Sequence, residues 1–556
     1  MATSLYSYII IRKFLKQALK MKRLFTFSLL LVCTSLCFAQ LPLPADFLNK
    51  DFHKGRREAL RQLLPPNSVM AIFAYPVRNF SNDVDYKYHA NPDLYYFSGY
   101  TEPNAVLLIF KEPQKDSTDQ SYTELFFVQK KDAAREQWTG KRLGIEGVKA
   151  LGFSHVYNAE DFERKASDLS RFDKIIFEFP QDISDKLSQS DDVFDLVKIF
   201  KKKTAMPADF DDEVLGDLMS LRQYPRLLAS VPRLTSYYKM LADKNERYKN
   251  NELVTKIIQV KDSTEVQKLL LEMENMKYNP ALYSLFTKQL RQIKTPEELV
   301  LMRKTVEISA LAHNEAMKAI KPDMSELELQ GVQEFIHKKL GAEYVGYPSI
   351  AGAGANGCVL HYIENNVTKV GNNKMILMDV GAEYHGYSAD VTRTFPANGK
   401  FTAEQKQIYD LVYEAQEAVF KICKRGTTFQ DIENTARDVV TKGLVKLGIL
   451  KDEKENRLYF PHGCSHFLGL DVHDKGIYEK LLENMIITVE PGIYIPEGSN
   501  CDKKWWGIAV RIEDDVLIKK DGHEILSSMA ARKAEDVEKM AAQKSFVDNL
   551  TIEMKN

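Results

Sequence analysis

The sequence lacks any excess of charge of one sign. Its 76 Lys and Arg residues almost cancel its 77 Asp and Glu residues, which leaves a formal net charge of −1. Binding to nucleic acid or to an anionic membrane usually needs a basic surface. The composition favours neither partner, and we expect no nucleic acid to be bound.

Cysteine is also scarce, with six residues in 556. None of them has the CxxC spacing of a zinc ribbon, so that class of metal site is not expected. Two lie in the N-terminal apolar run, and the others are Cys358, Cys423, Cys464 and Cys501. We expect these four to be buried as small apolar side chains, and we leave open whether any disulfide forms.

The N-terminus has the features of an export signal. Met21–Arg23 is a short basic start, Leu24–Phe38 is apolar apart from small polar residues, and Cys37 and Ala39 suit a cleavage site. The run is shorter than the roughly 20 residues of a comfortable membrane span. We therefore expect residues 1–39 to be removed, and the protein to be periplasmic or secreted without a stable membrane span. An uncleaved anchor and a lipoprotein are the alternatives.

The rest of the chain divides into three regions by pattern. Residues 40–180 alternate short apolar runs with turns, which predicts a separate N-terminal α/β domain with four strands in VMAIFAYP (69–76), AVLLIF (105–110), ELFFVQ (124–129) and KIIFEFP (174–180). Residues 181–293 are helical and charged, and we interpret them as an extension or connector. Residues 294–556 combine apolar strands with helices whose capping signals begin at Thr295, Ser325 and Thr402. The simplest arrangement for this C-terminal domain is α+β, with helices covering one face of a curved antiparallel sheet.

Five potential metal ligands stand beside the C-terminal strands. They are Asp379, Asp390, His466, Glu490 and Glu513. A carboxylate near a core costs free energy unless it is paired or bound to a cation. One such acid alone is more often a satisfied turn or surface residue. Four carboxylates and one imidazole together form an oxygen-rich set of the size that two divalent metals need, which predicts a metallohydrolase.

Strand alternation predicts the direction in which two of these acids point. In MILMDVG, Leu377 and Asp379 share one face of the strand, and in IAVRIEDD, Arg511 and Glu513 do the same. Apolar residues occupy the opposite faces, with Ile508, Val510 and Ile512 expected to pack into the core behind the second strand. Both strands are therefore expected to present carboxylates on one side and to pack into the core on the other.

Histidine is scarce, yet three of the eleven, His462, His466 and His473, fall within twelve residues. The glycines and the proline beside them favour a loop or a strand over a helix. One imidazole can bind metal while the others move protons or stabilise charge near neutral pH. His361 is a fourth candidate, although a histidine in that position would more often belong to the core.

Several longer motifs resemble a known family. The chain from about 295 to 533 is similar to the pita-bread metallopeptidases of family M24, and most closely to the Xaa-Pro aminopeptidases, or aminopeptidase P. The matching segments are GANGCVLHYIENN (354–366), LMDVGAEYHGYSADVTRTFPANGKF (377–401), HGCSHFLGLDVHD (462–474), TVEPGIYI (488–495) and GIAVRIEDD (507–515). The front domain resembles the N-terminal domain of that family in RREALRQLL (56–64), NPDLYYFSGYTEPNAVLLI (91–109) and QWTGKRLG (137–144). Residues 181–293 match the family pattern poorly.

The resemblance implies roles for residues already singled out. It implies that the five ligands hold two divalent ions, bridged by Asp390 and Glu513. Manganese is expected, with cobalt or zinc as alternatives. Substrate binding and stabilisation of the tetrahedral intermediate would fall to His361, His462, His473 and Arg511.

Trp138 has a different implied role. It corresponds to a tryptophan that reaches the active site of a neighbouring subunit in tetrameric relatives. The resemblance therefore implies a homo-oligomer, either a dimer or a tetramer. A partly buried aromatic residue beside a turn is an equally simple interpretation of the same position.

The implied reaction is hydrolysis of the N-terminal Xaa-Pro bond of peptides by a hydroxide that two metals share. Glu490 would move a proton between the nucleophile and the leaving nitrogen while also binding metal. Proline lacks an N–H and restrains the residue before it, so this bond calls for a dedicated pocket. A prolidase, which cleaves Xaa-Pro dipeptides with the same ligands, is the nearest alternative. A metal-free creatinase-like hydrolase or a non-catalytic relative is less favoured because all five ligands are present.

Overall fold

A computed structural model describes residues 47–116, 118–181, 193–208, 210–221, 225–228 and 230–550. The predicted export signal, residues 1–39, lies outside these described residues. Within them, no helix combines the length and the apolar character needed to cross a membrane.

The front region is a five-stranded mixed sheet with helices on its faces. Its strands and a small hairpin are β1 (Ser68–Phe73), β2 (Asn79–Ser81), β3 (Val84–Asp85), β4 (Val106–Lys115), β5 (Ser121–Val128), β6 (Val156–Asn158) and β7 (Lys174–Glu178), and its helices are α1 (Lys50–Leu63), α2 (Pro92–Ser98), α3 (Ala133–Thr139), α4 (Gly144–Ala150) and α5 (Phe162–Lys165). The strand order is β6-β5-β4-β1-β7, with parallel pairs at both edges and antiparallel pairs between them. The four strands predicted from apolar runs are confirmed.

Alternation along β1 gives this sheet two buried faces. Met70 and Ile72 belong to one apolar cluster, while Val69 and Phe73 belong to another. The first cluster also takes in Tyr387 and residues of the 468–470 loop, which belong to the C-terminal region. The front and C-terminal regions therefore share a core, and Leu48–Asn556 forms one unit by its contacts.

The middle region is helical, as expected. Its helices are α6 (Val193–Lys203), α7 (Asp212–Ser220), α8 (Pro225–Leu228), α9 (Val231–Lys244), α10 (Glu246–Lys249), α11 (Glu252–Gln259), α12 (Ser263–Glu274) and α13 (Pro280–Arg291). Helices α7 to α12 enclose a small core of their own, which includes Leu218, Leu234 and Met273. The outer two differ, because α6 packs into a core of the front sheet through Phe200, and α13 does so through Tyr283.

Capped helices and short strands make up the C-terminal region. The helices are α14 (Pro296–Ala319), α15 (Glu326–Lys339), α16 (Ala403–Ile422), α17 (Phe429–Lys446) and α18 (Ala534–Ala541), and the strands are β8 (Tyr344–Val345), β9 (Ile350–Ala353), β10 (Met375–Asp379), β11 (Ala382–Tyr384), β12 (Tyr387–Ser388), β13 (Thr392–Pro396), β14 (Ile486–Val489), β15 (Gly492–Ile495), β16 (Ile508–Arg511), β17 (Asp514–Ile518) and β18 (His523–Ile525). The predicted capping boxes that begin at Thr295, Ser325 and Thr402 are all present.

The C-terminal strands form four antiparallel ladders with helices packed on one side. The ladder orders are β13-β10-β9, β12-β11-β8, β14-β17-β18 and β15-β16. Apolar residues of α16 and α17, such as Val412 and Val440, share the main core with Val510 and Ile512. Ala509 lies in a separate small cluster, which confirms the alternation predicted for this strand. The expected α+β arrangement is confirmed.

The four cysteines in the described residues are free thiols. Cys423 and Cys464 are buried, as expected, whereas Cys358 and Cys501 are only partly buried.

Candidate metal centre

Two apolar runs, Ile486–Ile495 and Ile508–Ile518, look continuous in the sequence but are interrupted at the same level of the sheet. Val489 pairs with Asp514 on one side of the interruption, and Gly492 pairs with Arg511 on the other. Glu490 and Pro491 therefore lie opposite Ile512 and Glu513, outside the regular ladders. Proline has no N–H to donate to a ladder, which favours a break at this point.

Two buried side chains stabilise the interruption by satisfying backbone oxygens that the ladders leave free. The Gln416 Nε2 donates to the carbonyl of Val489 at 2.9 Å and to that of Ile512 at 3.1 Å. The Arg393 Nη1 donates to the carbonyl of Glu513 at 2.5 Å. Unpaired buried carbonyls are costly, so these contacts allow two acids to leave the strands and face the same space.

The other predicted ligands come from strand ends and a loop. Asp379 is the last residue of β10, and Asp390 lies two residues before β13. His466 lies in the long connection between α17 and β14, which agrees with the expected loop. Elements far apart in the chain thus bring the candidate ligands to one place.

Three of the five predicted ligands form a compact set. Asp390, His466 and Glu513 each offer one ligand atom, and these atoms all lie within 4.8 Å of one another. The Nδ1 of His466 faces the carbonyl of Phe467 at 2.9 Å, which leaves Nε2 directed at the acids. This Nε2 lies 3.3 Å from Asp390 Oδ2 and 3.5 Å from Glu490 Oε1, so Glu490 borders the same set.

Asp379 is placed at the edge of this set and has two protein partners. Arg511 Nη2 lies 2.5 Å from its Oδ2, and the Tyr347 hydroxyl lies 2.5 Å from its Oδ1. The same hydroxyl is 2.6 Å from Asp390 Oδ1, so it connects the two acids. Although burial acts in the opposite direction, the charge of Arg511 lowers the pKa of Asp379.

The remaining acids carry more negative charge than their protein neighbours balance. Burial and the charges of the other carboxylates raise the pKa of Asp390 and hold that of Glu513 well above its usual value. Burial raises the pKa of Glu490 to about 7. Burial disfavours a proton on His466, but Asp390 and Glu490 outweigh it and raise its pKa to about 9. A divalent cation would supply the missing positive charge, so the donor set fits such an ion.

Arg511 also begins a chain of polar contacts that leads away from the acids. Its Nη1 donates to the Tyr494 hydroxyl at 2.7 Å, which lies 2.8 Å from His462 Nε2. Its Nε donates at 3.1 Å to Thr392 Oγ1, which in turn donates to Glu513 Oε2 at 2.6 Å. Arg511 therefore connects an acid ligand to one of the predicted histidines.

The other predicted histidines lie around the same centre. The His473 ring meets that of His466 edge to face, with centroids 4.4 Å apart. Partial burial, followed by the charges of His466 and His361, lowers the pKa of His473 to about 4. Burial and the charge of Arg511 lower the pKa of His462 to about 3. The lowered pKa values favour neutral rings of His462 and His473 near pH 7. His361 is exposed, so its interpretation as a core residue is wrong.

Trp138 is not part of this centre within the chain. It lies on α3 with 87% of its surface exposed. The alternative of a partly buried aromatic residue is therefore wrong. Its predicted contact with a neighbouring subunit stays a prediction.

Sequence reasoning missed several residues that contact the candidate ligands or Arg511. Among them are Tyr347, Thr392, Tyr494 and Asp515. Asp515 Oδ2 accepts a hydrogen bond from the backbone N–H of Asp390 at 3.1 Å. Thr392, Tyr494 and Asp515 lie inside the segments that resemble the family, and this position could have marked them as candidate site residues. Tyr347 lies outside them, and only its position between Gly346 and Pro348 marks it.

Comparison with known proteins decides the family. Residues 300–520 match "Metallopeptidase family M24", and residues 53–177 match "Aminopeptidase P, N-terminal domain". A Xaa-Pro aminopeptidase of Escherichia coli is 32% identical over 89% of this chain and 98% of its own length. The chain belongs to the aminopeptidase P family. A Haemophilus influenzae Xaa-Pro aminopeptidase is 29% identical and covers 89% of this chain and 97% of its own length.

Solved structures of the family agree with the fold described above. Aminopeptidase P from E. coli with the inhibitor Pro-Leu matches with a TM-score of 0.68 at 30% identity, covering 89% of this chain and 98% of its own. Pseudomonas aeruginosa aminopeptidase PepP matches with a TM-score of 0.69 at 28% identity, with the same coverage. The C-terminal region is therefore the pita-bread domain of a metallopeptidase, preceded by an aminopeptidase P N-terminal domain.

Proposed function

We propose that the protein is an aminopeptidase that hydrolyses the bond between the N-terminal residue of a peptide and a proline in second position. The buried set of Asp390, His466 and Glu513 carries this proposal, because it provides oxygen and imidazole donors with uncompensated negative charge. Relatives that share both regions along most of the chain are Xaa-Pro aminopeptidases. All five predicted ligands are present, which argues against a metal-free relative.

We assign the metal ligands to the five residues predicted from the sequence. Asp379, Asp390, His466, Glu490 and Glu513 would together hold two divalent ions. Divalent ions in such a site lower the pKa of water and polarise a carbonyl group. Manganese suits a donor set rich in oxygen, and cobalt and zinc are compatible with it.

The protein's own residues would then bind the peptide and handle protons. Glu490 borders the ligand set and is the residue that we assign to proton transfer toward the leaving nitrogen. His473, and His361 whose charge acts on it, would donate to the developing oxyanion, a role worth about 2.7–4 kcal/mol when lost. His462 and Arg511, joined through the Tyr494 hydroxyl, would border the proline.

The length of the accepted peptide separates this function from that of a prolidase. The purified, manganese-loaded protein should be given matched Xaa-Pro and Xaa-Pro-Xaa peptides, with release of the N-terminal residue measured by chromatography. We expect the tripeptide to be cleaved and the dipeptide to be a poor substrate. Cleavage of the dipeptide alone would make the protein a prolidase.

Two further assignments belong to the same proposal. We place the protein in the periplasm or outside the cell, because residues 1–39 have an export pattern, and fractionation with N-terminal sequencing tests this.

We also propose a homo-oligomer to which Trp138 contributes, since 87% of this large apolar side chain is exposed in the single chain. A Trp138→Ala variant that sediments like the wild type and keeps its activity would contradict that role.

A further inference from the structure

An ion network with a buried centre joins the front, middle and C-terminal regions beside the candidate metal centre. We call it the junction network, and its members are Asp93, Glu178, Arg291, Lys294, Asp471, Asp474 and Lys475. Asp93 lies on α2, Arg291 ends α13, and Asp474 follows His473 directly. The network thus connects the front sheet region with the loop that carries two of the candidate site histidines.

Arg291 is the central member of this network. Its Nη1 lies 2.7 Å from Asp93 Oδ1, and its Nη2 lies 2.7 Å from Asp471 Oδ2 and also contacts Asp474 Oδ1. Lys294 Nζ lies 2.9 Å from the second oxygen of Asp474. On the front side, Lys475 Nζ lies 2.7 Å from Asp93 Oδ2. Every oxygen of Asp93 and Asp474 therefore has a cationic partner.

The central charges of the network are removed from solvent, whereas Asp471 and Glu178 at its rim are partly exposed. The side chains of Arg291, Lys294 and Asp474 are each only 1% exposed, and that of Asp93 is 2% exposed. Buried charges are stable only while their partners stay in place, so the network restricts the relative positions of the elements that carry it. A surface pair would impose no comparable restriction.

The loop from 466 to 474 is folded tightly over the Asp474 carboxylate. The Asp474 N–H donates to the carbonyl of Phe467 at 2.9 Å, which closes the loop on itself. A Cβ added at Gly469 would lie 2.1 Å from Asp474 Oδ2, so the backbone there approaches the carboxylate as closely as glycine allows. Anchoring Asp474 therefore anchors the whole loop.

His473 depends on this anchor for its position. Within the described residues no hydrogen bond to its ring is present, and part of the ring is exposed to solvent. Its ring packs only edge to face on His466, with centroids 4.4 Å apart. The place of the imidazole is therefore determined mainly by the backbone between His473 and Asp474.

We propose that Arg291 and Lys294 are positioning residues that hold His473 against His466 through Asp474. Because Arg291 also binds Asp93, the front region contributes to the geometry of a site whose candidate ligands and histidines, among the described residues, all belong to the C-terminal region. The inference rests on the proposed function insofar as its effect is measured as peptide hydrolysis. It adds a role for the junction between regions that the ligand set alone does not supply.

The test compares Lys294→Met and Arg291→Met with a matched control. Arg57→Met removes an equally buried cation of the front region, which lies 2.6 Å from Glu124 and otherwise donates to the carbonyl of Phe97, with no hydrogen bond to the loop. We expect the two junction variants to lose about 10- to 100-fold in kcat for Xaa-Pro-Xaa hydrolysis, with little change in KM, since small displacements of positioning groups cost this much. We expect the control to stay close to the wild type. Lys294→Met leaves Arg291 on Asp474, so it remains informative if Arg291→Met does not fold.

A double-variant cycle separates positioning from general destabilisation. In a His473→Ala background, Lys294→Met should cause little further loss of kcat, because the residue through which it acts is gone. An equal loss in both backgrounds, or an equal loss in Arg57→Met, would overturn the inference.

Amide hydrogen exchange of the 466–475 segment gives a second readout that needs no substrate. Faster exchange in Lys294→Met than in Arg57→Met supports the inference, and unchanged exchange contradicts it. If the wild-type enzyme cleaves no Xaa-Pro peptide, the proposed function fails, while hydrogen exchange still decides whether the junction network holds the loop.

Discussion

Replacing Arg511 tests whether the candidate centre is held together by charge compensation. The guanidinium lies 2.5 Å from Asp379 Oδ2 and also donates to Tyr494 and Thr392. Arg511→Met keeps most of the side-chain volume but leaves the Asp379 carboxylate buried without its cation. Arg511→Lys keeps the charge and loses part of the hydrogen bonding.

The size of the expected loss of stability follows from the burial of this pair, since the side chain of Arg511 is 5% exposed and that of Asp379 is 11% exposed. Removing one partner of a buried ion pair costs about 3–5 kcal/mol, because it leaves an uncompensated charge. We therefore expect Arg511→Met to lower the free energy of unfolding of the metal-free protein by about 3–5 kcal/mol. Arg511→Lys should lose about 1.5–3 kcal/mol, the value of a hydrogen bond to a charged group. Saturating manganese should reduce the loss in Arg511→Met, because a cation beside Asp379 replaces the missing charge.

The assay is urea unfolding of the C-terminal core in metal-free and metal-loaded protein. Trp505 lies in that core and is 2% exposed, so its fluorescence reports the relevant transition. A background with Trp138→Phe and Trp506→Phe leaves Trp505 as the single tryptophan of the chain. A loss below about 1 kcal/mol in metal-free Arg511→Met would refute the reasoning, because an exposed pair costs no more than that. An equal loss with and without manganese would refute the link to metal binding.

Two further predictions concern buried titratable groups, first the neighbours Asp514 and Asp515 and then His313. Asp514 is paired with Arg393, so Asp514→Asn should cost about 3–5 kcal/mol in urea unfolding. Burial and the charge of Asp390 hold the pKa of Asp515 well above its usual value, which favours its neutral form in the metal-free protein, so Asp515→Asn should cost less than Asp514→Asn; equal losses would contradict this contrast. Burial, then Arg393, lowers the pKa of His313 to about 3, so between about pH 6.5 and pH 3 only the unfolded state takes up this proton, and stability falls as the pH is lowered. His313→Gln has no group that takes up this proton, so its free energy of unfolding should fall by about 2 kcal/mol less than that of the wild type between pH 7 and pH 5. Identical pH profiles of the two proteins would contradict this prediction.

Local signals in the sequence predicted the local structure well. The capping boxes at Thr295, Ser325 and Thr402 depend on residues three positions apart, and all three form. Period-two alternation placed Ile508, Val510 and Ile512 in the core, as observed. These features depend on neighbours in the chain, so they can be predicted from short segments.

Features that depend on distant partners could not be predicted in this way. The run from Ile486 to Ile495 has the pattern of one strand, and its interruption beside Glu490 depends on Gln416, which lies on another element. Tyr347 joins Asp379 to Asp390 from a segment with no strong pattern of its own. The junction network is built from positions between 93 and 475, so only the folded chain brings its charges together.

The central claim is that a metal set built on Asp390 hydrolyses Xaa-Pro peptides. The most direct test is to strip the purified protein of metal, restore manganese stepwise, and follow Xaa-Pro-Xaa hydrolysis together with the number of ions bound per chain. We predict that stripped protein is inactive, that activity returns as two ions bind, and that Asp390→Ala stays inactive at every manganese concentration. Activity that survives both the stripping and the substitution would contradict the account.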